Sequence, residues 1–385
     1  MNVRSDNRAQ SIQVGAVLLF GFLIIALTLY QAQGVPEENR QVEFEHSQQV
    51  GDEMVDLYTA IFETVHVDGE PRTATVTLGT SYNNRLFFIY PPPASGTLQT
   101  SSDKTVELHN VTAVTDTNQS FDNYWNNSTR TYETQALTYS PNYRELRGTA
   151  DYRIEYGILA ALYNESNTTE LRLAEGHQPI IDGNEINLVV IDGELQSVDT
   201  DAQSVIPERV TNETTIEVEN DSNTGPITLE LPTALGEDHW NESDPDGMLY
   251  EQENVENVSV SDENATIRLK GKKEYKLTVH KVNVGSDAAE PEPTYLRNRS
   301  FDDSSLELKV DVRDQFNNRV DEPVDVWLFN GTPEDAVEDE IDGKKTITLS
   351  DELTFGDDER CGVALVDPDE ETPEPHQEIN MTGAC

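Results

Sequence analysis

Ile12 to Tyr30 reads IQVGAVLLFGFLIIALTLY, nineteen residues without a charge and apolar except for Gln13, Thr28 and two glycines. At ~1.5 Å per residue such a run spans about 28 Å as a helix, close to the hydrocarbon thickness of a bilayer. A secretory signal would have a shorter apolar core followed by small residues at a cleavage site. Here the run ends in Leu29-Tyr30-Gln31-Ala32-Gln33, which predicts a retained membrane anchor; a cleaved signal and a buried core helix are the alternatives. Arg4 and Arg8 precede the segment, and Glu37 and Glu38 follow it. By the positive-inside rule the N-terminus is then cytoplasmic and everything after Ala32 is outside.

The body carried by that anchor is strongly acidic. The 385 residues hold 26 Lys+Arg against 73 Asp+Glu, a net charge of −47. Phosphates would be repelled, which argues against nucleic acid as a partner. Two readings of the acidity compete. One is disorder, whose signature is high charge with low hydrophobicity. The other is a folded protein adapted to molar salt, where the Debye length shrinks to about 3 Å and self-repulsion is screened. Fourteen tyrosines, eleven phenylalanines and repeated β-type runs favour the folded, salt-adapted reading and a halophilic source.

Asn-X-Ser/Thr sequons begin at Asn110, Asn118, Asn126, Asn127, Asn164, Asn167, Asn212, Asn220, Asn241, Asn257, Asn264, Asn298, Asn330 and Asn380. Chance predicts about four, and all of these lie after the anchor, as expected of a glycosylated ectodomain. Cys361 and Cys385 are the two cysteines. Outside the cytoplasm they can close a loop of about 24 residues through one disulfide, the alternative being two unpaired thiols.

Arg8-Ala9-Gln10-Ser11 runs directly into the apolar segment. This arrangement resembles the class III signal of archaeal type IV pilin-like proteins, in which a peptidase cuts on the cytoplasmic side and leaves the hydrophobic segment on the mature chain. The resemblance implies cleavage between Ala9 and Gln10. It departs from the better-known pattern in that the fifth mature residue is Val14 rather than glutamate, which bears on polymerisation more than on processing. An ordinary signal anchor that is never cut is the alternative.

Gly34 and Pro36 predict a break or kink just outside the membrane. Beyond them Val50, Met54, Leu57, Ile61 and Val65 share one helical face, so a second, amphipathic helix is expected to pack on a β-domain. After Asp68-Gly69 the period changes to two. Strands are expected at Thr73–Leu78, Arg85–Tyr90, Thr105–Val114, Leu137–Leu146 and Tyr152–Tyr163. Ile186–Leu195 reads as an apolar strand pair turning at Asp192-Gly193. Further strands are expected at Thr215–Asn220, Pro226–Pro232, Ala265–Gly271 and Tyr275–Val282, with a short helical or looped insert from Pro232 through Trp240 to Leu249. Tyr139, Tyr143, Tyr152, Tyr156 and Tyr163 are read as core packing in preference to a binding platform.

The order of PNY around Pro141, ITLELPT around Leu229, His239-Trp240 and EYKLTVHKVNVG ending at Gly285 is similar to uncharacterised haloarchaeal pilin-like membrane proteins over roughly residues 8 to 285. Asp287 to Pro293 is a linker by composition. Beyond it, the segment Ser305–Val320 followed by Val324–Phe329 resembles bacterial Ig-like modules, which implies a small β-sandwich with Trp327 as its core aromatic.

The expected organisation is a leader (1–9), a transmembrane helix (10–33), an amphipathic helix (34–68), a first β-domain (69–204), a second β-rich region (205–286), a linker (287–293), an Ig-like β-sandwich (294–366) and an acidic tail containing proline (367–385). The fold class is mainly β with a long N-terminal α-helix. No catalytic constellation, cofactor site or metal site is expected. The seven histidines show no H-E-x-x-H pattern or close pair, and Glu242, Asp244 and Asp246 offer calcium-type oxygens without the rest of an EF-hand. The expected function is a non-enzymatic, membrane-anchored, glycosylated surface protein of pilin-like type, in filament assembly, adhesion or envelope organisation. Its partners would be the bilayer and other pilin-like subunits. A membrane-anchored extracellular hydrolase or a ligand-binding ectodomain is the alternative.

Overall fold

The computed structural model describes residues 7–66, 72–85, 91–114, 124–126, 129–163, 168–172, 179–211, 214–220, 225–241, 247–250, 252–302, 307–320, 323–330, 337–342, 344–348, 361–365 and 378–380. The chain is mainly β with one long N-terminal helical element. Helix α1 (Asn7–Leu29) passes through a single π-helical turn (Tyr30–Gly34) into α2 (Val35–His66). Its apolar part, 0 % buried over the most hydropathic window, is long and apolar enough to cross a membrane. The helix does not break at Gly34 and Pro36: helical structure continues through the π turn. The Val35 N–H bonds to the Tyr30 carbonyl five residues back. That wider turn makes room for the proline ring, which would clash with the carbonyl four residues behind it in a regular helix. Immediately above, Arg85 donates to Glu38 Oε2 (2.8 Å) and Asn39 Oδ1 (3.2 Å), and Tyr30 donates to Glu38.

The stripe expected on α2 is the face that packs. Val50, Met54, Leu57, Tyr58, Ile61 and Val65 are all 0 % exposed. They pack with Val76 and Val205 of a two-stranded ribbon (Ala74–Thr77 with Ala202–Val205) and with Leu98, Leu137, Ile154, Leu159 and Ile191. Burial of each such side chain contributes about 1.5–3 kcal/mol, so this stripe is what attaches the helix.

Three larger sheets build the body. One pairs strand Glu185–Asp192 in parallel with Glu274–Asn283, and the latter is flanked by Ile216–Asn220, which in turn pairs Val111–Ala113. A second runs through Gln196–Asp199, Ser95–Thr100, Leu137–Asn142, Asp151–Glu155, Ile158–Tyr163 and Thr168–Arg172. A third joins Val255–Ser261, Asn264–Leu269, Thr228–Pro232, Lys104–His109 and Arg130–Thr134. Strands Glu185–Asp192 and Ile158–Tyr163, one in each of the first two sheets, are covered on both faces. Ile186, Leu188 and Val190 enter a core shared with the third sheet, whereas Val189 and Ile191 face the helix. Ile158 and Ala160 divide from Leu159 and Ala161 in the same way, which is why both segments read as continuous apolar runs.

Several expectations need correction. The boundary at 204/205 is not a division of the fold, because 104–109 pairs with 228–232, 111–113 with 216–220, and 185–192 with 274–283 across it. The run Thr105–Val114 is two strands. Asn110, at φ 61°, turns the backbone between them into different sheets, a conformation asparagine tolerates better than most residues. Asp192-Gly193 is no hairpin turn: Glu185–Asp192 ends there, and Gln196–Asp199 joins the second sheet. Instead Asp192 Oδ2 accepts from Lys281 Nζ (2.7 Å) and from the Ala289 N–H (3.1 Å), and Lys281 also donates to the Ala289 carbonyl (2.7 Å). Burial would raise the Asp192 pKa, but these donors and the Gly193 N–H together hold it below the usual carboxylate value. Segment 287–293 is thus pinned at Ala289 and is not a free linker.

The C-terminal module is a sandwich of Pro293–Asp302, Glu307–Asp314 and Lys344–Thr348 against Val337–Asp342, Pro323–Asn330, Cys361–Leu365 and Glu378–Asn380. Leu296, Leu308, Val310, Val326, Leu328 and Val363 fill it. The last strand lies in the segment expected as tail, so the module extends past 366. It also shares the body's core: Tyr295 stacks on Tyr124 at 4.7 Å, Phe316 meets Tyr132 at 5.4 Å, and Arg130 covers the Tyr124 ring at 3.8 Å. The side chains of Trp327 and Cys361, and all of Cys385, lie outside the described residues, as does the run 86–90.

Burial raises the phenol pKa of Tyr124 and of Tyr275 to about 12, and that of fully buried Tyr132 further. Because the folded values exceed the ordinary one near 10, this contribution to stability is complete below pH 10 and is lost as pH rises through 12. Spectrophotometric titration is expected to show two phases, exposed tyrosines near pH 10 and buried ones only with cooperative unfolding at higher pH. A single phase near 10 would contradict the buried placement.

Candidate functional site

Two constellations stand out. The first is a groove of about 580 Å³ between α2 and the segment after strand Leu137–Asn142, with Phe44, Tyr139, Tyr143, Arg147, Tyr152 and Tyr163 on its walls. Its far wall is held by Glu43, which is 0 % exposed. One carboxylate oxygen accepts from the Tyr82 hydroxyl and the Arg144 N–H (2.8 Å), the other from the Glu145 and Leu146 N–H groups (2.9 and 2.6 Å). His46 is fixed at both ends. Its Nε2 lies 3.1 Å from the Thr77 carbonyl and so carries the proton, which leaves Nδ1 to accept from the Tyr143 hydroxyl at 2.6 Å. Burial lowers the His46 pKa despite the opposing Thr77 bond and nearby Glu53, so the ring is neutral. Tyr139 donates to the Leu78 carbonyl (2.8 Å), and strand Ser95–Thr100 passes so close there that a Cβ on Gly96 would strike both groups. The tyrosines expected as core divide accordingly: Tyr139, Tyr152 and Tyr156 are buried, whereas Tyr143 and Tyr163 are half-buried at the groove. Both nitrogens of His46 are committed to protein partners, and the groove itself presents aromatic faces with Asp52 and Arg147 as its charged groups.

The second constellation is Glu107, His109 and Glu230 on the outer face of the third sheet. Glu107 and His109 are two residues apart on one strand and therefore point the same way. Glu230 stands directly opposite Glu107 on the neighbouring strand. His109 Nε2 lies 3.4 Å from Glu107 Oε2 and 3.7 Å from Glu230 Oε1, while Nδ1 is 3.0 Å from the Thr129 hydroxyl. Sequence reading missed this set because Glu230 lies 121 residues beyond His109; the Glu-Leu-His alternation was the available signal.

Among the sequons, Asn126 and Asn257 are exposed. Asn110 donates to the Pro226 carbonyl (3.0 Å), Asn264 to the Asp262 carbonyl (3.2 Å), and Asn220 to the Gly225 carbonyl (3.2 Å) while accepting the Lys272 N–H (2.6 Å). Asn241 and Asn298 are half-buried. Asn118, Asn127, Asn164, Asn167 and Asn212 lie outside the described residues, as do residues 242–246 and the side chains of Asn330 and Asn380. The Ala9–Gln10 bond lies in the first turn of α1, not in extended chain.

The network around the Thr233–Trp240 insert, read from sequence as a motif, is structural. Thr233 donates to buried Glu155 and accepts from the Trp240 indole (3.3 Å), and Tyr156 donates to the Pro232 carbonyl (2.6 Å).

With this geometry in place, comparison with known proteins yields one partial likeness. A stretch of 94 residues is 32% identical to an uncharacterised protein of Archaeoglobus fulgidus. That stretch is 24% of this chain and 16% of the relative, so most of each chain lies outside the likeness. No protein-family model and no solved structure matches the chain.

Proposed function

We propose that this chain is a non-enzymatic, single-pass surface protein of pilin-like type, anchored by α1 with its N-terminus cytoplasmic and its β-body outside. It would act in filament assembly, adhesion or envelope organisation. The observation that carries this reading is the continuous helical element, bare and apolar in its first half and with one face buried against the body in its second. A short cut before the apolar segment would leave that anchor on the mature chain. Mass spectrometry of the membrane-bound protein is expected to find it beginning at Gln10, with glycans at exposed Asn126 and Asn257. Protease added to intact cells should remove the chain beyond about Gln33. Membrane protein that still begins at Met1 would sink the pilin-like reading, and protection of the body would reverse the topology.

The acidity supports a salt-adapted surface. Circular dichroism is expected to show β structure in molar KCl that diminishes in dilute buffer, because a net charge of −47 then repels itself unscreened. Equal structure in both would refute salt adaptation. The aromatic groove favours a ligand-binding ectodomain as a second reading, since it falls in the size range of small-molecule sites.

A further inference from the structure

We propose that Glu107, His109 and Glu230 form a binding site for a divalent transition metal of the zinc class, with a coordination position open to solvent. The donor set is one imidazole nitrogen and two carboxylate oxygens, all within 4.8 Å of one another. Zinc bonds of about 2.0–2.1 Å place tetrahedral neighbours about 3.3 Å apart. The two observed edges from His109 Nε2, 3.4 and 3.7 Å, lie close to that spacing. They do not form hydrogen bonds: Nε2 is buried and has no hydrogen-bond partner, although two carboxylates flank it.

The sheet register adds an independent reason for a cation. Glu107 and Glu230 are directly cross-strand, where like charges repel. Their outer neighbours in that row are Thr131 beside Glu107 and Thr266 beside Glu230, both uncharged. A divalent ion would neutralise the pair. The ring is also oriented as in built metal sites, because the Thr129 hydroxyl holds Nδ1 at 3.0 Å and so leaves Nε2 facing the carboxylates. Both glutamates are half-exposed, at 42 % and 44 % of the side chain, so either can close the remaining edge by a rotamer change and a fourth ligand can enter from solvent. This inference is independent of the anchoring and processing of the chain.

The test uses the full-length chain in detergent, stripped with a chelator and held in molar NaCl to suppress diffuse binding to the acidic surface. Calorimetric titration with zinc chloride is expected to give one equivalent with micromolar affinity. His109→Ala and Glu107→Gln should each weaken binding at least about tenfold, whereas His239→Ala, outside the cluster, should leave it unchanged. Cobalt chloride is expected to give the visible absorption of a tetrahedral site, lost in His109→Ala. Should that variant fail to fold by circular dichroism, Glu230→Gln, at a half-exposed position, carries the same expectation. Binding without saturation, or affinity that the variants at Glu107, His109 and Glu230 do not change, would overturn the proposal.

Discussion

Replacing Glu43 by alanine is expected to lower the unfolding free energy by about 4 kcal/mol, measured by denaturant titration of the full chain in detergent. The magnitude follows from what the carboxylate holds. Four donors converge on a side chain that is 0 % exposed: the Tyr82 hydroxyl and the N–H groups of Arg144, Glu145 and Leu146. Removing the acceptor leaves those donors without a partner, and each buried orphan costs about 1–3 kcal/mol before relaxation. Glu43→Gln should cost about half as much, because the amide keeps one oxygen but turns an NH₂ toward backbone donors. The same change should loosen the groove, since segment 144–146 forms its far wall. A loss below about 1 kcal/mol for the alanine variant would show that water replaces the carboxylate.

Leu57→Ala is expected to destabilise the chain by about 3 kcal/mol, the ordinary cost of emptying a fully buried leucine site. Asp56→Ala, one residue away on the exposed face, should stay within about 0.5 kcal/mol. The contrast is the measurement. Two adjacent helical residues differing this much require that α2 be packed on one side, whereas equal effects would mean that the helix stands clear of the body. Detached from its stripe, the helix would tether the β-body rather than hold it.

These two positions also show how far the chain could be read beforehand. Leu57 was legible because helical periodicity is local: Val50, Met54, Leu57, Ile61 and Val65 declare a face without knowledge of what it meets. Glu43 was not, because a buried carboxylate is identified by its donors, and those lie 39 and about 101 to 103 residues away. The same distinction explains the sheets. Most strands were visible from alternation, yet their interleaving was not, since period two carries no information about register partners. Asp192-Gly193 resembled a hairpin turn because the dipeptide has two uses; here the aspartate closes on Lys281 and Ala289 instead. The uncut Ile158–Leu162 and Ile186–Ile191 runs carried a signal that both faces would be covered. Pro36 misled for the opposite reason, a rule of regular helices applied where a π turn absorbs the ring. The Glu107–His109–Glu230 set required the pairing of two strands before its chemistry could be recognised.

The unbroken passage from α1 through the π turn into α2 has a consequence for encounters at the membrane. A body on a flexible stalk samples many heights and tilts, and any lateral association must overcome that orientational freedom. Here the helix enters the core directly, and Arg85 braces it at Glu38 and Asn39, one turn after the π turn. In a chain anchored as proposed, the body's position relative to its anchor is therefore fixed by the helix, and its tilt by packing and interfacial side chains. Two copies anchored in this way in one membrane would carry their bodies at like heights, so a lateral contact would have less orientational freedom to offset than one between bodies on flexible stalks.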